Sequence, residues 1–176
     1  LVLDGLFNHT GDDSLFFNRY GHYPGVGAYQ SPDSPYRDYY FFTDKAPGYE
    51  CWWGVPILPK LNLKNPALSE YFAGEGGILS RYTRMGADGW RLDVADELPE
   101  DFLRALRARL KAETGGEGLL LGEVWENAAT KCAYGKRRRY FWGDELDGVM
   151  NYPLRRGILS FVRDGDAGAL AAVLSE

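Results

Sequence analysis

The chain has 176 residues, of which 45% are hydrophobic and 26% are charged, as is ordinary for one globular domain with its own core. A net charge of −5 argues against nucleic acid or an anionic membrane as the main partner, because phosphate groups are bound by basic surfaces. No apolar run approaches the roughly 20 residues that span a bilayer, and no signal-like segment opens the chain, so we expect a cytoplasmic location.

The first segment is an apolar run that turns polar, Leu1-Val2-Leu3-Asp4-Gly5-Leu6-Phe7-Asn8-His9. Such a run predicts a strand buried on both faces of a parallel sheet. Functional residues of α/β proteins usually lie at the carboxyl ends of such strands. Asn8 and His9 therefore either bind a ligand or are structural residues whose hydrogen bonds are made within the protein. The run begins inside a strand without a start signal. We therefore expect the chain to be part of a longer one.

Residues 11–64 form a turn-rich excursion that is too long for an ordinary strand-to-helix loop. Thirteen aromatic residues lie between Phe16 and Trp53. A disordered linker would be poor in rings, so this density predicts a folded insertion. The rings could stack on sugars or pack the core of the insertion. We therefore divide the chain into a small inserted domain at 11–64 and a second unit formed by 1–10 and 65–176.

Helix and strand patterns alternate after residue 65. A helix stripe interrupted by glycines covers 66–82, and it is followed by a strand at 89–94, a helix at 99–114, a strand at 119–125, a strand at 146–152, and helices at 153–162 and 167–174. Such alternation predicts an α/β fold with parallel strands joined by right-handed crossovers. Four such units fit half of a TIM (β/α)₈ barrel better than a complete open sheet. The basic run at 136–139 is interpreted as a solvated face.

The central stretch is Gly89-Trp90-Arg91-Leu92-Asp93-Val94-Ala95-Asp96-Glu97, a short apolar strand that ends in carboxylates. Arg91 and Asp93 are two residues apart, so they point to the same side of an extended chain. Burying such a pair costs free energy unless it is well hydrogen-bonded. The pair therefore indicates a functional site, with a buried salt bridge as the structural alternative.

A second strand-to-carboxylate pattern, Leu119 to Trp125, places Glu123 30 residues after Asp93, about the length of one βαβ unit. The two carboxylates should face each other across a cleft, which suits glycosidic bond cleavage. We expect Arg91 to keep Asp93 ionised and the apolar neighbours of Glu123 to raise its pKa into the range of a general acid. The competing use is an oxygen-rich cation site that also includes Asp96 and Glu97.

Three of these segments also carry a resemblance. They are residues 4–9, 89–93 and 122–125, and they resemble three consecutive signature regions of the α-amylase family of retaining glycosidases. Residues 58–62 (Leu-Pro-Lys-Leu-Asn) and 147–153 (Asp-Gly-Val-Met-Asn-Tyr-Pro) are similar to the neopullulanase and cyclomaltodextrinase branch of that family. The order and spacing match across essentially the whole chain.

The resemblance implies a (β/α)₈ barrel of which this chain holds about strands 3 to 6, with residues 11–64 as the domain inserted after the third. Asp93 would be the nucleophile and Glu123 the general acid and base. The substrate-binding residues would be His9, Arg91, Trp125, Glu97 and Asn62. His9 would contact the sugar before the scissile bond, and Trp125 and Glu97 would line the side of the leaving group or acceptor. Asn8 and Asp4 would have structural roles or serve a calcium site.

The implied substrates are α-glucans: maltooligosaccharides, cyclodextrins and pullulan, cleaved at α-1,4 and in some cases α-1,6 bonds. The family's His-Asp signature, which supplies a third catalytic carboxylate, has no match in the 176 residues. We therefore expect the segment alone to be inactive. The alternatives are a non-catalytic carbohydrate-binding relative and an α-glucan transglycosylase of the same fold. No cofactor is required, and calcium binding and a homodimer are left open, as is pairing of Cys51 with Cys132.

Overall fold

The computed structural model describes residues 1–175. Its centre is a four-stranded parallel sheet in the order β1 (Val2–Gly5), β2 (Gly89–Leu92), β3 (Leu119–Gly122) and β6 (Gly148–Val149). The sheet order follows the chain, as expected when each crossover places the next strand beside the last. The α/β class and the parallel sheet predicted from the sequence are confirmed.

Three helices cover one face of the sheet: α1 (Pro66–Ala73), α2 (Ile78–Arg84) and α3 (Glu100–Glu113). Asn65 caps α1, because its side-chain oxygen accepts the backbone N–H groups of Ala67 and Leu68. The apolar stripe of α3 is fully buried and consists of Phe102, Leu103, Leu106 and Leu110. Together with Trp90 and Leu92 of β2, it forms the part of the core that fixes the strand ends.

The single helix predicted over 66–82 is wrong, because the chain breaks at residues 74–77 into α1 and α2. At Gly74 a Cβ atom would lie 2.4 Å from the carbonyl oxygen of Glu70, and at Gly77 it would lie 2.7 Å from that of Tyr71. Only glycine permits the backbone to pass so close to the carbonyl end of α1. The glycines therefore mark a turn between two helices.

Beyond β3 the chain forms a small antiparallel hairpin, β4 (Cys132–Ala133) and β5 (Lys136–Arg137), and two helices, α4 (Tyr152–Asp164) and α5 (Ala167–Leu174). The expectation of a fully solvated basic run is wrong for Arg138, which is only 7% exposed. Its guanidinium donates to the carbonyl oxygens of Asp96 and Leu98 at 3.2 and 3.0 Å. At the other end of the hairpin, Lys131 pairs with the Asp96 carboxylate at 3.0 Å.

Residues 11–64, all of which the structure describes, contain only short 3₁₀ turns at Arg37–Tyr39 and Trp52–Gly54 and isolated β-bridges. Their rings pack around the fully buried Phe17, with Tyr40 and Tyr49 at centroid distances of 4.8 and 4.9 Å. Ring packing thus gives this segment a core of its own. The assignment of 11–64 as an inserted domain stays a prediction.

The two cysteines are both free. In the part of the chain that the structure describes, no helix has the length and apolar character needed to cross a bilayer.

Candidate active site

The register of the sheet brings the predicted charged residues together at its carboxyl edge. Asp4 of β1 is the register partner of Arg91 of β2, so their side chains share one face. Asp93 and Glu123 come directly after Leu92 and Gly122, which are register partners in β2 and β3. The backbone hydrogen bonding between β2 and β3 continues to these residues, because the Glu123 N–H donates to the carbonyl oxygen of Leu92 at 2.9 Å.

Arg91 lies at the centre of this cluster and contacts three carboxylates. Its Nη1 atom donates to Asp4 Oδ1 at 2.6 Å and to Asp93 Oδ1 at 2.7 Å, and its Nη2 atom lies 2.8 Å from Glu123 Oε2. The planar guanidinium presents five N–H donors in a fixed fork, so several carboxylates can share it. One cation thus holds Asp93 and Glu123 side by side.

Arg91 acts to lower the pKa of Asp93, in line with its expected role of keeping this carboxylate ionised, but the net shift of the pKa is upward. Burial raises the pKa of Asp93, and this effect outweighs the hydrogen bond and the positive charge of Arg91. Arg91 divides its charge among three carboxylates, and the negative charge of Glu123 further favours the protonated form of Asp93.

The expectation that apolar neighbours raise the pKa of Glu123 is wrong, since its pKa is lowered. Burial acts to raise it, but the hydrogen bonds from Trp125, the Val94 N–H and Tyr152, with the charge of Arg91, outweigh burial. The donors lie at 3.0, 3.1 and 3.0 Å from the carboxylate oxygens. The apolar neighbours in the sequence therefore did not decide this pKa, because the indole of Trp125 turns its N–H toward the carboxylate.

Val94 holds an unusual backbone conformation beside the two carboxylates, with φ of 41° and ψ of 56°. A β-branched residue rarely adopts this left-handed region, at a cost of about 1–3 kcal/mol. The conformation turns the chain directly after Asp93 and directs the Val94 N–H toward Glu123. Strain of this kind is typical of sites where geometry is imposed by the surrounding fold.

His9 and Asn8 are buried at the end of the first strand segment, at 7% and 1% exposure. The amide nitrogen of Asn8 lies 3.2 Å from Nδ1 of His9 and orients the ring. Burial lowers the pKa of His9 although the negative charge of Asp93 acts to raise it, so the imidazole is neutral at pH 7. A neutral ring next to the carboxylates can donate and accept hydrogen bonds.

Aromatic rings form a continuous wall along the cluster. His9 faces Trp52 at a centroid distance of 5.8 Å, Trp52 stacks on Trp53 at 5.3 Å, and Trp53 meets Trp125 edge-on at 5.4 Å. Trp53 is 69% exposed and has a positive φ of 48°. An exposed indole held in a strained conformation offers its face to a ligand.

Glu97 lines the same cavity as Glu123 and is held by several hydrogen-bond donors. Lys60 Nζ donates to its Oε2 at 3.0 Å, and the hydroxyl of Tyr134 donates to the same oxygen. Burial acts to raise the pKa of Glu97, but these hydrogen bonds and the charge of Lys60 lower it. A cavity of about 300 Å³ lies between this group and Glu123, and Trp53 and Trp125 line it.

Two predicted residues lie away from the centre of the cleft. Asn62 donates to the carbonyl of Asp38 at 3.1 Å and accepts the N–H of Lys64, so its observed contacts are those of a turn. The side chain of Asp4 is 54% exposed and is held by Arg91. Within residues 1–175, no group of three or more His, Cys, Asp or Glu side chains has a metal-binding arrangement. The ligand-binding role of Asn62 and the calcium role of Asp4 and Asn8 stay predictions.

The residues that contact the site but were not singled out from the sequence include Lys60, Tyr134 and Tyr152. Lys60 and Tyr152 lie inside the segments that carry the family resemblance, at 58–62 and 147–153, so the signal was present there. Tyr134 stands before Gly135 in a connection without apolar periodicity. The Tyr-Gly pair predicts no more than a turn.

A parallel α/β sheet that carries two bridged carboxylates at its carboxyl edge, beside a cleft lined with aromatic residues, is the kind of arrangement found in glycosidases built on a (β/α)₈ barrel. The family model described as alpha amylase, catalytic domain, matches residues 1–171. The chain therefore belongs to the α-amylase family, and the resemblance inferred from its motifs is confirmed.

Relatives with known names include amylopullulanase of Thermoanaerobacterium thermosulfurigenes, which is 36% identical over 185 residues covering 92% of this chain and 9% of the relative. Neopullulanase 2 of Thermoactinomyces vulgaris is 31% identical over 176 residues, covering 96% and 27% of the two chains. The chain thus spans about a tenth to a quarter of the length of these relatives.

Solved structures of the same fold include the cyclic α-maltosyl-(1→6)-maltose hydrolase of Arthrobacter globiformis in complex with its substrate. It superposes with a TM-score of 0.79 at 29% identity and covers 99% of this chain and 37% of that one. The protein Ttha1563 of Thermus thermophilus is 38% identical with a TM-score of 0.73, covering 92% and 31%. The partial-barrel architecture therefore recurs in larger members of the family.

Proposed function

We propose that this chain is the catalytic segment of a retaining glycoside hydrolase that acts on α-glucans. The observation that carries the proposal is the pair Asp93 and Glu123, which directly follow the register partners Leu92 and Gly122 of adjacent strands and are bridged by Arg91. Two carboxylates held close together are the equipment for double displacement at an anomeric carbon.

In the proposed reaction, Asp93 attacks the anomeric carbon and forms a covalent glycosyl ester, while Glu123 gives its proton to the departing glycosidic oxygen. Glu123 then takes a proton from water, and the water oxygen attacks the anomeric carbon and releases Asp93. Glu123 must hold a proton when the substrate is bound. A sugar that separates the Glu123 carboxylate from Arg91 and its hydrogen-bond donors would raise the pKa of Glu123 and favour this state.

The remaining residues bind and orient the substrate in this proposal. His9, neutral and held by Asn8, contacts the sugar that receives the nucleophile. Trp125 and Glu97 line the cavity next to Glu123, which is the side of the leaving group. The stacked indoles of Trp52 and Trp53 supply apolar faces for glucose rings.

The proposed substrates are maltooligosaccharides, cyclodextrins and pullulan, cleaved at α-1,4 bonds, with α-1,6 bonds as additional targets. The names of the relatives support this choice, since they include amylopullulanase, neopullulanase and cyclomaltodextrinase. The second candidate is transfer of the glycosyl group to another sugar. The aromatic cavity beside Glu123 favours it, because a sugar bound there could replace water as the acceptor.

The test is hydrolysis of maltotriose, maltoheptaose, β-cyclodextrin and pullulan by the complete gene product, with the Asp93→Asn variant in parallel. We expect kcat to fall by about 10³-fold or more in the variant, because the amide cannot form the glycosyl ester. The matched control is Asp33→Asn at an exposed carboxylate outside the cleft. A loss of less than tenfold in Asp93→Asn would exclude Asp93 as the nucleophile.

A further inference from the structure

Three side chains in contact with one another border the cavity beside Glu123. Tyr134 at the tip of the hairpin donates its hydroxyl to Glu97 Oε2, and Lys60 Nζ donates to the same oxygen at 3.0 Å. Lys60 also lies over the Tyr134 ring, 5.9 Å from its centroid. These three side chains form a wall across the cleft.

A second cavity lies directly behind this wall. Its volume is about 480 Å³, against about 300 Å³ for the cavity beside Glu123. Both cavities are lined by Asp96, Glu97, Ala133 and Tyr134. The two spaces are therefore adjacent, and the Tyr134 side chain lies at their common boundary.

The lining of the second cavity suits a neutral ligand with many hydroxyl groups. It contains four basic and five acidic side chains, so neither charge dominates. Mixed donors and acceptors of this kind can bind hydroxyl groups, each of which donates one hydrogen bond and accepts others. An anionic ligand would instead be expected to face an excess of basic groups.

The wall is built on an exposed and strained residue. Tyr134 is 73% exposed and has a positive φ of 52°, and Gly135 follows at 76°, as in the two-residue turns that close tight hairpins. Asparagine and glycine are the residues that favour the first of these positions. The turn does not need a tyrosine at this position, and the side chain is not buried in a core. Its hydroxyl instead donates a hydrogen bond to Glu97.

We propose that Tyr134 is a specificity-determining residue that limits how far a glucan extends beyond Glu123, and that additional glucose units enter the second cavity when its hydrogen bond to Glu97 opens. This inference rests on the proposed function, because it takes α-glucan as the ligand. It makes Tyr134 a determinant of chain length. The residue takes no part in bond cleavage.

The test compares kcat/KM for maltoheptaose with kcat/KM for maltotriose in the complete gene product. Tyr134→Asn removes the ring and suits the left-handed backbone, and we expect the ratio to rise at least threefold. Tyr134→Phe removes only the hydroxyl, and we expect a smaller rise. The matched controls are Tyr23→Asn and Tyr23→Phe, at an exposed tyrosine outside the cleft, with the ratio expected at the wild-type value.

A ratio within twofold of wild type in both Tyr134 variants would overturn the inference while leaving the hydrolase proposal intact, provided the wild type cleaves both sugars. A binding measurement tests the inference if the wild type does not cleave both sugars. Dissociation constants for the two sugars are measured by calorimetry in the Asp93→Asn background, with and without Tyr134→Asn. A selective gain for maltoheptaose supports the inference even if the wild type proves inactive, and equal affinities overturn it. Equal loss on both sugars with a lowered Tm would indicate a structural role and would also overturn it.

Discussion

The two sides of the cleft are built differently. On the Asp93 side the groups lie on strands and strand ends, and Arg91 joins three carboxylates with contacts of 2.6 to 2.8 Å. On the Glu97 side the groups lie on turns and a short hairpin, where Trp53 and Tyr134 are 69% and 73% exposed. The sheet positions Arg91 and the carboxylates that it bridges, whereas the connecting segments hold the rings together with Glu97 and Lys60.

This difference separates two tasks. Charges that act on a transition state need fixed positions, and positions on a regular scaffold are more rigid than positions on loops. Exposed aromatic residues on turns can be substituted with little loss of folding stability, because they contribute little to the buried core. We therefore expect substitutions on the strand side to change kcat, and substitutions on the turn side to change which glucan is bound.

The largest effect in this comparison is expected for Glu123→Gln. On maltooligosaccharides kcat should fall about 10²- to 10⁴-fold, the range for loss of a general acid. Aryl glycosides with good leaving groups should be partly spared, since their oxygen departs without a proton. Glu117→Gln, at an exposed carboxylate, is the control. Equal loss on both substrate types would contradict the role of Glu123 as the acid.

A smaller effect is expected for Trp53→Ala on the turn side. Loss of a stacking face is worth about 0.5–1.5 kcal/mol, or roughly two- to tenfold in KM for maltoheptaose, with a smaller change in kcat. The control is Trp142→Ala, because Trp142 is 68% exposed and packs on Arg139 outside the cleft. A fold-loss in kcat larger than the fold-rise in KM would contradict the prediction, because it would mean that Trp53 acts mainly on the chemical step and less on substrate binding.

The smallest effect is a shift in pH dependence for Tyr152→Phe. The hydroxyl donates to Glu123 Oε1 at 3.0 Å and helps to hold the pKa of Glu123 below its ordinary value. Its removal should raise that pKa. Because the acid must be protonated, the alkaline limb of the kcat/KM profile should move to higher pH.

The same variant should lose folding stability, and the sign of its pH dependence is fixed. A lowered carboxyl pKa stabilises the fold above the pKa of the unfolded chain, and this contribution disappears as the pH falls through the folded pKa. The loss in Tyr152→Phe should therefore vanish in acid, as measured by urea unfolding. Tyr23→Phe is the control, and an alkaline limb that moves to lower pH would contradict the prediction.

The positions of the catalytic candidates could be predicted from the sequence, whereas their electrostatics could not. Asp93 and Glu123 follow apolar strands one βαβ unit apart, and this spacing alone places them on one edge of a parallel sheet. Their pKa shifts depend on contacts that no local pattern encodes. The Val94 N–H reaches Glu123 only because of a left-handed turn, and Arg91 is shared with Asp4 from a distant part of the chain.

The helix boundaries and the basic run show the same limit. Glycines at 74–77 weakened the helix pattern in the sequence, but only the close approach to the carbonyls of α1 makes them a turn. Arg138 stands among three other basic residues and differs from them solely in the three-dimensional neighbours of its side chain. Tertiary contacts determine where the helix ends and which basic residue is buried, and the periodicity of the sequence does not predict those contacts.

The anchoring of the hairpin gives the site a replaceable part. Lys131 and Arg138 fasten the two ends of the segment 132–137 to Asp96 and Leu98, on the loop that follows Asp93. The six residues between these anchors contact the cleft through Cys132, Ala133 and Tyr134, while the anchors themselves bind the loop that follows Asp93. The segment can therefore be exchanged as a cassette, with the reacting carboxylates left in place and a different boundary set for the glucan chain.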